Sequence, residues 1–269
     1  MTGVRLLLSD VDGTLVRPDK SLSVRTVAAV HALHDAGIHF AVTSGRPPRG
    51  MEMLVEPLAL AAPLAGFNGG LVVEPEMDVI EEHLVPDAVG ALAIELLESF
   101  DLSIWVYRGA DWYVRDPDGP HVAKEAHTVQ FAPTVVESFD GIATGVAKIV
   151  GVSDDHDAIA AAAGAAQDKL GEQASVSRSQ PYYLDVTHPQ ANKGAVVTFL
   201  SDRYDVAEDE IATIGDMPND VLMFAHSGLS IAMGNAHREV QRAARHVTTT
   251  NDDDGFANAV ERYVLGGRS

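Results

Sequence analysis

Residues 4–15 of the chain are VRLLLSDVDGTL, a short apolar run that ends abruptly at two aspartates and a glycine. Such a run, bounded by turn residues, is typical of a buried β-strand. Asp10 and Asp12 leave the strand on the same side, so both carboxylates can point into one crevice at the carboxyl edge of a sheet. Gly13 allows a sharp turn that brings backbone amides near an anion. The stretch predicts a ligand site, although two such aspartates alone more often form an acidic turn.

The next residues predict a strand, a helix and a second strand. Ser23 is a suitable N-cap for a helix that ends before Gly37, which stands at the C′ position. The apolar run IHFAVTS at 38–44 predicts the second strand, and another helix can begin at the Pro47-Pro48 pair. This β-α-β order predicts a parallel sheet.

The same alternation of strands and helices returns near the C-terminus. Strands are predicted at EIATIG (210–215), LSIAM (229–233) and HVTT (246–249), and helices from Asn192, Pro218, Asn235 and about Gly255. Together with the first unit, these segments predict an α/β fold with a doubly wound parallel sheet, formed by residues 1–82 and 187–269.

Residues 83–186 have a different composition, with most of the tryptophans and tyrosines of the chain. Strands are predicted at SIWVY (103–107), DWYVR (111–115), VAKIVGV (146–152) and YYLDV (182–186), the first two as a hairpin. The segment therefore predicts an α+β domain inserted into the first. Most of its aromatic side chains are expected in the core of that domain, with a sugar-binding face as the alternative.

Composition excludes several classes of function. The 269 residues are 46% hydrophobic and 22% charged, which is ordinary for a globular protein. A net charge of −20 argues against nucleic-acid and anionic-membrane partners, because both require a basic surface. No apolar run is long enough to cross a bilayer and no signal-peptide core is present, so a cytoplasmic protein is expected. The absence of cysteine leaves oxygen and imidazole as metal ligands.

Four separated motifs carry a family resemblance. They are DVDGTL at 10–15, AVTSGRP at 41–47, Lys193 in ANKG, and GDMPND at 215–220. In this order they resemble the haloacid dehalogenase-like hydrolases. FNGG at 67–70, YYLDVTHPQANKG at 182–194 and the closing stretch from Ala232 resemble the Cof-like branch, in which a cap domain is inserted between the second and third motifs.

The resemblance implies a phosphatase that acts on a small phosphorylated metabolite, such as a sugar phosphate, through an aspartyl phosphate. Asp10 resembles the family nucleophile, and Asp12 resembles the acid that protonates the leaving group and then activates water. Asp10, the main-chain oxygen of Asp12 and Asp216 would hold Mg²⁺, which prefers oxygen ligands. Ser44 and Lys193 would bind the phosphate.

Further residues are expected at the same site. The phosphate or substrate would also contact Gly13, Thr14, Gly45, Arg46 and Asn68, while Asn219 and Asp220 would support the metal or orient Lys193. Arg46 has two equal interpretations, phosphate binding and a structural ion pair. In the inserted domain, the candidates for substrate contact are Ser177, Arg178 and Gln180.

Other functions remain open at this point. A phosphomutase or a dehalogenase of the same superfamily would share most motifs, although Asp12 argues against dehalogenation. A signalling protein that is phosphorylated on aspartate would lack both Asp12 and the long insertion, and a metabolite sensor would not need the complete motif set. The sequence does not predict the physiological substrate or the oligomeric state.

Overall fold

The computed structural model describes residues 3–266, and the strands of this range form two β-sheets. In chain order they are β1 (Leu6–Asp10), β2 (His39–Thr43), β3 (Leu64–Gly66), β4 (Leu71–Val73), β5 (Val79–Glu82), β6 (Ser103–Arg108), β7 (Asp111–Val114), β8 (Thr134–Val135), β9 (Lys148–Val152), β10 (Ser175–Gln180), β11 (Tyr183–Thr187), β12 (Ile211–Gly215), β13 (Leu229–Ala232) and β14 (His246–Val247).

Helices connect the strands and cover the sheets. They are α1 (Val24–Asp35), α2 (Val55–Leu58), α3 (Asp87–Glu98), α4 (Val122–Val129), α5 (His156–Leu170), α6 (Lys193–Tyr204), α7 (Val221–Ala225), α8 (Arg238–Ala243) and α9 (Gly255–Ala259), with a π-helical turn at Val260–Leu265. Short 3₁₀ turns lie at Pro48–Leu54, Gly171–Gln173, Glu208–Glu210, Pro218–Asp220 and Asn251–Asp253. None of the described helices is long and apolar enough to span a membrane.

The first sheet has the strand order β14-β13-β12-β1-β2-β3-β4-β5. Its first six strands are parallel, and β4 and β5 extend it as antiparallel edge strands. Because β1 lies between β2 and β12, the carboxyl ends of all three strands meet at one edge of the sheet. This is the doubly wound α/β sheet predicted from the sequence, and it brings the three strand-ending motifs together.

The second sheet has the order β10-β11-β9-β6-β7-β8, and its strand pairs are antiparallel except for β7 with β8. Helices α3 and α5 pack on one of its faces, through a buried apolar cluster that includes Ile104, Ile149 and Leu184. All of its strands lie between residues 103 and 187, which agrees with an inserted α+β unit. Since β11 includes Thr187, this sheet extends one residue beyond the predicted limit at 186.

Several local predictions are confirmed by side-chain contacts. The Ser23 hydroxyl accepts a hydrogen bond from the Thr26 amide at the start of α1, and Asn192 accepts one from the Ala195 amide at the start of α6. Gly37 follows α1 with a φ of +70°, as expected for a glycine at C′.

Other local predictions are wrong in detail. The first strand begins at Leu6 rather than Val4 and includes Asp10. The segment after Pro47 begins as a 3₁₀ turn, and the helix predicted from Asn235 begins only at Arg238. The side-chain amide of Asn235 instead donates hydrogen bonds to the Gly13 carbonyl and the Asp216 carboxylate. Asn235 therefore lies in the loop between β13 and α8.

Candidate active site

The candidate site lies at the carboxyl edge of the first sheet. Asp10 ends β1, Ser44 follows β2, Asp216 follows β12, and Lys193 is the first residue of α6. Asn192 caps that helix, which fixes where the Lys193 side chain leaves the backbone. Three strand ends and one helix start thus bring together residues that are far apart in the sequence.

A buried lysine joins two of the aspartates. The Lys193 Nζ atom donates to Asp10 Oδ1 at 2.6 Å and to Asp220 Oδ1 at 2.5 Å. Burial opposes its charge, but the two carboxylates raise the pKa of Lys193 well above its ordinary value. The other oxygen of Asp220 accepts hydrogen bonds from the amides of Asp216 and Met217, each at 2.8 Å. Asp220 therefore orients Lys193, one of the two roles that the sequence predicts for it.

Asp216 is held by the loop after β1. Its Oδ1 atom accepts a hydrogen bond from the Thr14 hydroxyl at 3.3 Å. Its Oδ2 atom accepts one from the side-chain amide of Asn235 at 3.2 Å. Gly13 has a φ of +84°, and a Cβ atom there would lie 2.3 Å from Asp216 Oδ2. Only glycine allows this approach.

The aspartates form a site suited to a divalent metal. Ligand atoms of Asp10, Asp216 and Asp220 all lie within 4.8 Å of one another. Asp10 Oδ2 is buried and has no hydrogen-bond partner among the described residues. A buried acceptor without a donor is costly, and an oxygen-binding cation would satisfy it. The donor set therefore fits a hard divalent cation.

The pKa values of these aspartates reflect their crowding. Burial raises the pKa of Asp10 well above its ordinary value; Lys193 opposes this change, and Asp220 and Asp216 add to it. Burial, together with the charge of Asp220, raises the pKa of Asp216 to about 6. A cation would favour the ionised form of both groups, because it supplies the opposite charge that the cluster lacks.

The Asp12 side chain faces a different set of partners. Its carboxylate accepts two hydrogen bonds from Arg46, at 2.6 and 2.7 Å, and one from Lys20 at 2.6 Å. Burial opposes ionisation of Asp12, but Arg46 and Lys20 hold its pKa below the ordinary value. The structure thus favours the ion-pair interpretation of Arg46. The main-chain oxygen of Asp12 as a metal ligand stays a prediction.

The loop after β2 presents the predicted hydroxyl. Ser44 is buried, and its Oγ atom accepts a hydrogen bond from the Arg46 amide, which leaves the hydroxyl proton free to donate. The Ser44 carbonyl accepts a bond from the Asn68 amide at 2.7 Å. The Asn68 side chain in turn accepts a bond from Asn219 at 3.0 Å and lies close to Gly45. These residues line one side of the site, and Asn219 contacts Asn68 rather than the aspartates.

Two residues of the site were not predicted. Lys20 lies in a turn after the first motif, and Asn235 lies in the closing stretch from Ala232 that resembles the Cof-like branch. Asn235 could have been selected as a polar residue three positions after β13, the strand beside β12. No comparable signal marks Lys20, because its contact with Asp12 depends on how the turn folds back.

A family model described as haloacid dehalogenase-like hydrolase matches residues 7–260. The chain belongs to the haloacid dehalogenase-like hydrolases. It is similar to a solved haloacid dehalogenase-like hydrolase from Bacteroides thetaiotaomicron, with a TM-score of 0.89 and 30% identity over 96% of this chain and 99% of the other. Both the predicted superfamily and its Cof-like branch are confirmed.

Relatives within this family are phosphatases. An HMP-PP phosphatase of Cronobacter sakazakii is 30% identical, over 90% of this chain and 89% of its own length. A 5-amino-6-(5-phospho-D-ribitylamino)uracil phosphatase of Bacillus subtilis is 26% identical, over 96% of this chain and 97% of its own length. The present haloacid dehalogenase-like hydrolase is a phosphatase, and its cluster of aspartates can bind a divalent metal.

Proposed function

We propose that the chain is a Mg²⁺-dependent phosphomonoesterase that hydrolyses a small phosphorylated metabolite through a phosphorylated Asp10. The observation that carries this proposal is the buried Asp10 Oδ2 atom, which has no hydrogen-bond partner within residues 3–266 and lies in the cluster with Asp216. An attacking carboxylate needs nearby positive charge to meet an anionic phosphate. Lys193 supplies it at Asp10 Oδ1, and a cation at Oδ2 would add to it.

In the first step an Asp10 oxygen attacks phosphorus, the bond from phosphorus to the leaving oxygen breaks, and Asp12 gives a proton to that oxygen. In the second step Asp12 takes a proton from water, the water oxygen attacks phosphorus, and the bond to Asp10 breaks. Phosphate leaves, and Asp10 and Asp12 return to their starting forms.

The remaining residues position the phosphate. Ser44 donates its hydroxyl to a phosphate oxygen, and Lys193 supplies a fixed positive charge. Asp10, the main-chain oxygen of Asp12 and Asp216 would hold Mg²⁺, which would neutralise charge on the transferring group. For the acid step Asp12 must gain a proton and leave Arg46 and Lys20, which hold it ionised in the present arrangement.

The test is phosphate release from a panel of phosphorylated metabolites, with Mg²⁺ and with a chelator, for wild type and Asp10→Asn. We expect release only with Mg²⁺ and at least a thousandfold loss in the variant, because an amide cannot act as the attacking carboxylate. Circular dichroism should show the same fold for both proteins. Wild-type turnover by Asp10→Asn, or no release from any compound, would overturn the proposal.

A further inference from the structure

Lys20 is held in an unusual backbone conformation close to the candidate active site. Its φ is +69°, in the left-handed region that residues with a side chain seldom adopt. The conformation costs free energy, because the Cβ atom approaches the following carbonyl oxygen. Backbone strain of this kind persists only where the surrounding structure fixes it, and it is frequent at functional sites. A functional role for Lys20 would explain the strain.

Hydrogen bonds fix the turn that contains Lys20. The Arg17 amide donates to the Ser21 carbonyl, and the Lys20 amide donates to the Arg17 carbonyl, each at 2.9 Å. At the base of the turn, the side-chain amide of Asn251 donates to the Val16 carbonyl at 2.9 Å. The turn is thus closed by its own backbone and bonded to a loop near the C-terminus. These contacts fix where the Lys20 side chain leaves the backbone.

The Lys20 side chain reaches back to Asp12. Its Nζ atom lies 2.6 Å from Asp12 Oδ1, and the two side chains are 26% and 32% exposed. Water can therefore reach this pair from solvent. Arg46 binds the same carboxylate, and it is itself held by the Gly50 carbonyl at 3.0 Å. Two loops thus hold Asp12 between a buried guanidinium and a partly exposed ammonium group.

The hydrogen bonds are shared unequally between the two oxygens of Asp12. Oδ1 accepts from Lys20 Nζ at 2.6 Å and from Arg46 Nη2 at 2.7 Å. Within residues 3–266, Oδ2 accepts only from Arg46 Nε, at 2.6 Å. Each oxygen of a carboxylate offers about two acceptor sites. Oδ1 is therefore fully used, and Oδ2 retains one open site.

The open site suits one of the two chemical steps. In the first step Asp12 has to leave Lys20 and Arg46 in order to give its proton to the leaving oxygen. In the second step Asp12 acts as a base, and Oδ2 can accept a proton while Oδ1 stays bonded to both cations. Without Lys20, each oxygen would keep one open site, and Arg46 alone would hold the carboxylate.

We propose that Lys20 is a positioning residue for the second step, in which water hydrolyses the phosphorylated Asp10. By occupying Oδ1, it leaves Oδ2 of Asp12 as the atom that takes the proton from the attacking water. The water oxygen forms a bond to phosphorus, the bond from phosphorus to Asp10 breaks, and its electron pair returns to the Asp10 carboxylate. This inference rests on the proposed phosphatase function.

Lys20→Met tests this role with p-nitrophenyl phosphate and Mg²⁺. We expect the decay of phospho-Asp10, followed by rapid acid quenching of single turnovers, to slow by at least about tenfold. The value of kcat/KM should stay within about twofold of wild type, because it reports only the steps up to formation of phospho-Asp10. Stopped-flow absorbance should show a burst of p-nitrophenol before a slow steady state. General damage to the site would instead lower kcat/KM together with kcat.

Lys20→Gly separates the ammonium group from the backbone strain. Glycine adopts a φ of +69° without a Cβ contact, so Lys20→Gly should unfold at a higher temperature than Lys20→Met in differential scanning calorimetry. Both variants lack the ammonium group, and both should show the slow decay of phospho-Asp10. Lys20→Arg keeps a cation and should recover most of the wild-type rate. Lys169→Met is the matched control, since Lys169 is exposed on α5, and its rates should equal those of wild type.

The outcomes separate this assignment from the phosphatase proposal. Wild-type decay of phospho-Asp10 in folded Lys20→Met and Lys20→Gly would overturn the role of Lys20 and leave the phosphatase proposal intact. An equal fall of kcat/KM and kcat in both variants would do the same. Phosphate release by the wild type without any phospho-Asp10 would overturn both proposals.

Discussion

The Asp12 carboxylate makes three short hydrogen bonds to two cations, Arg46 and Lys20. Sequence alone left Arg46 equally suited to phosphate binding and to an ion pair, because either use needs only an arginine near the site. In the structure the loop after β2 packs against the loop after β1, and this contact places Arg46 in an ion pair with Asp12. The pairing keeps Asp12 ionised, which suits a base, whereas the proposed acid step needs a proton on the same group.

Asp12→Asn should separate the two chemical steps. With an alkyl phosphate the leaving group needs protonation, so kcat should fall by about 10²–10⁴-fold. With p-nitrophenyl phosphate the leaving group departs more readily, so the first step should persist while water attack slows. Stopped-flow absorbance should then show a burst of p-nitrophenol followed by a slow steady state.

The control for this change is Asp19→Asn, which alters an exposed aspartate in the neighbouring turn. Its kinetics should match those of wild type with both substrates. If Asp12→Asn hydrolysed alkyl phosphates at the wild-type rate, the acid and base roles assigned to Asp12 would be incorrect.

Among the helices and strands, the features that depend on neighbouring residues in the sequence, such as helix starts, were predicted. Ser23 was predicted as a helix cap and Asn192 as a helix start, and the side chain of each accepts a hydrogen bond from the amide three residues further on. The short edge strands β4 and β5 were not predicted, because runs of three and four residues are too short to show a periodic pattern. In the structure β4 pairs with β3, and β5 pairs with β4. The contacts of Asn235 were not predicted either, because its partners lie in other loops.

Gly13 offers a test of how the loop after β1 positions Asp216. Gly13→Ala should lower the free energy of unfolding by about 1–2 kcal/mol because of its positive φ, and should also displace Asp216. Gly37→Ala is the matched control, since Gly37 has a φ of +70° but open space around its Cβ position. Titration calorimetry should show weakened Mg²⁺ binding only for Gly13→Ala. Equal Mg²⁺ affinity in both variants would contradict this account of Gly13.

For the whole molecule, the order of strands and helices predicted the two sheets of the fold, but it did not predict which residues of the two sheets are in contact. Alternating strands and helices are visible in the sequence, and so is the aromatic character of residues 103–115. The contact of Phe67 with Tyr107 joins parts of the chain that share no local pattern. The same is true of the Tyr107–Glu125 hydrogen bond and the Lys148–Asp185 ion pair. These contacts could be identified only from the structure.

Metal binding should stabilise the whole fold in a pH-dependent way. The pKa of Asp216 is raised from 3.8 to about 6 in the folded, metal-free protein. Between these values the folded state holds more protons than the unfolded chain, so rising pH lowers the stability of the metal-free protein. Mg²⁺ must displace this proton, and its stabilising effect should therefore increase as pH rises through 6.

Differential scanning calorimetry at about pH 5 and about pH 7.5 measures this effect. At a Mg²⁺ concentration 100 times Kd the stabilisation should be about 2.7 kcal/mol at the higher pH, and smaller at the lower. Asp216→Asn should remove most of it. An equal increase in Tm at both pH values would contradict the predicted linkage.

In the proposed mechanism Asp10 carries the phosphoryl group between the two steps. Rapid quenching of wild type in acid during turnover, followed by peptide mass spectrometry, measures this directly. We expect one phosphoryl group on Asp10 that hydroxylamine removes, and none in Asp10→Asn. Phosphate release by the wild type with no phosphoryl group on the protein, or with the phosphoryl group on another residue, would contradict this mechanism.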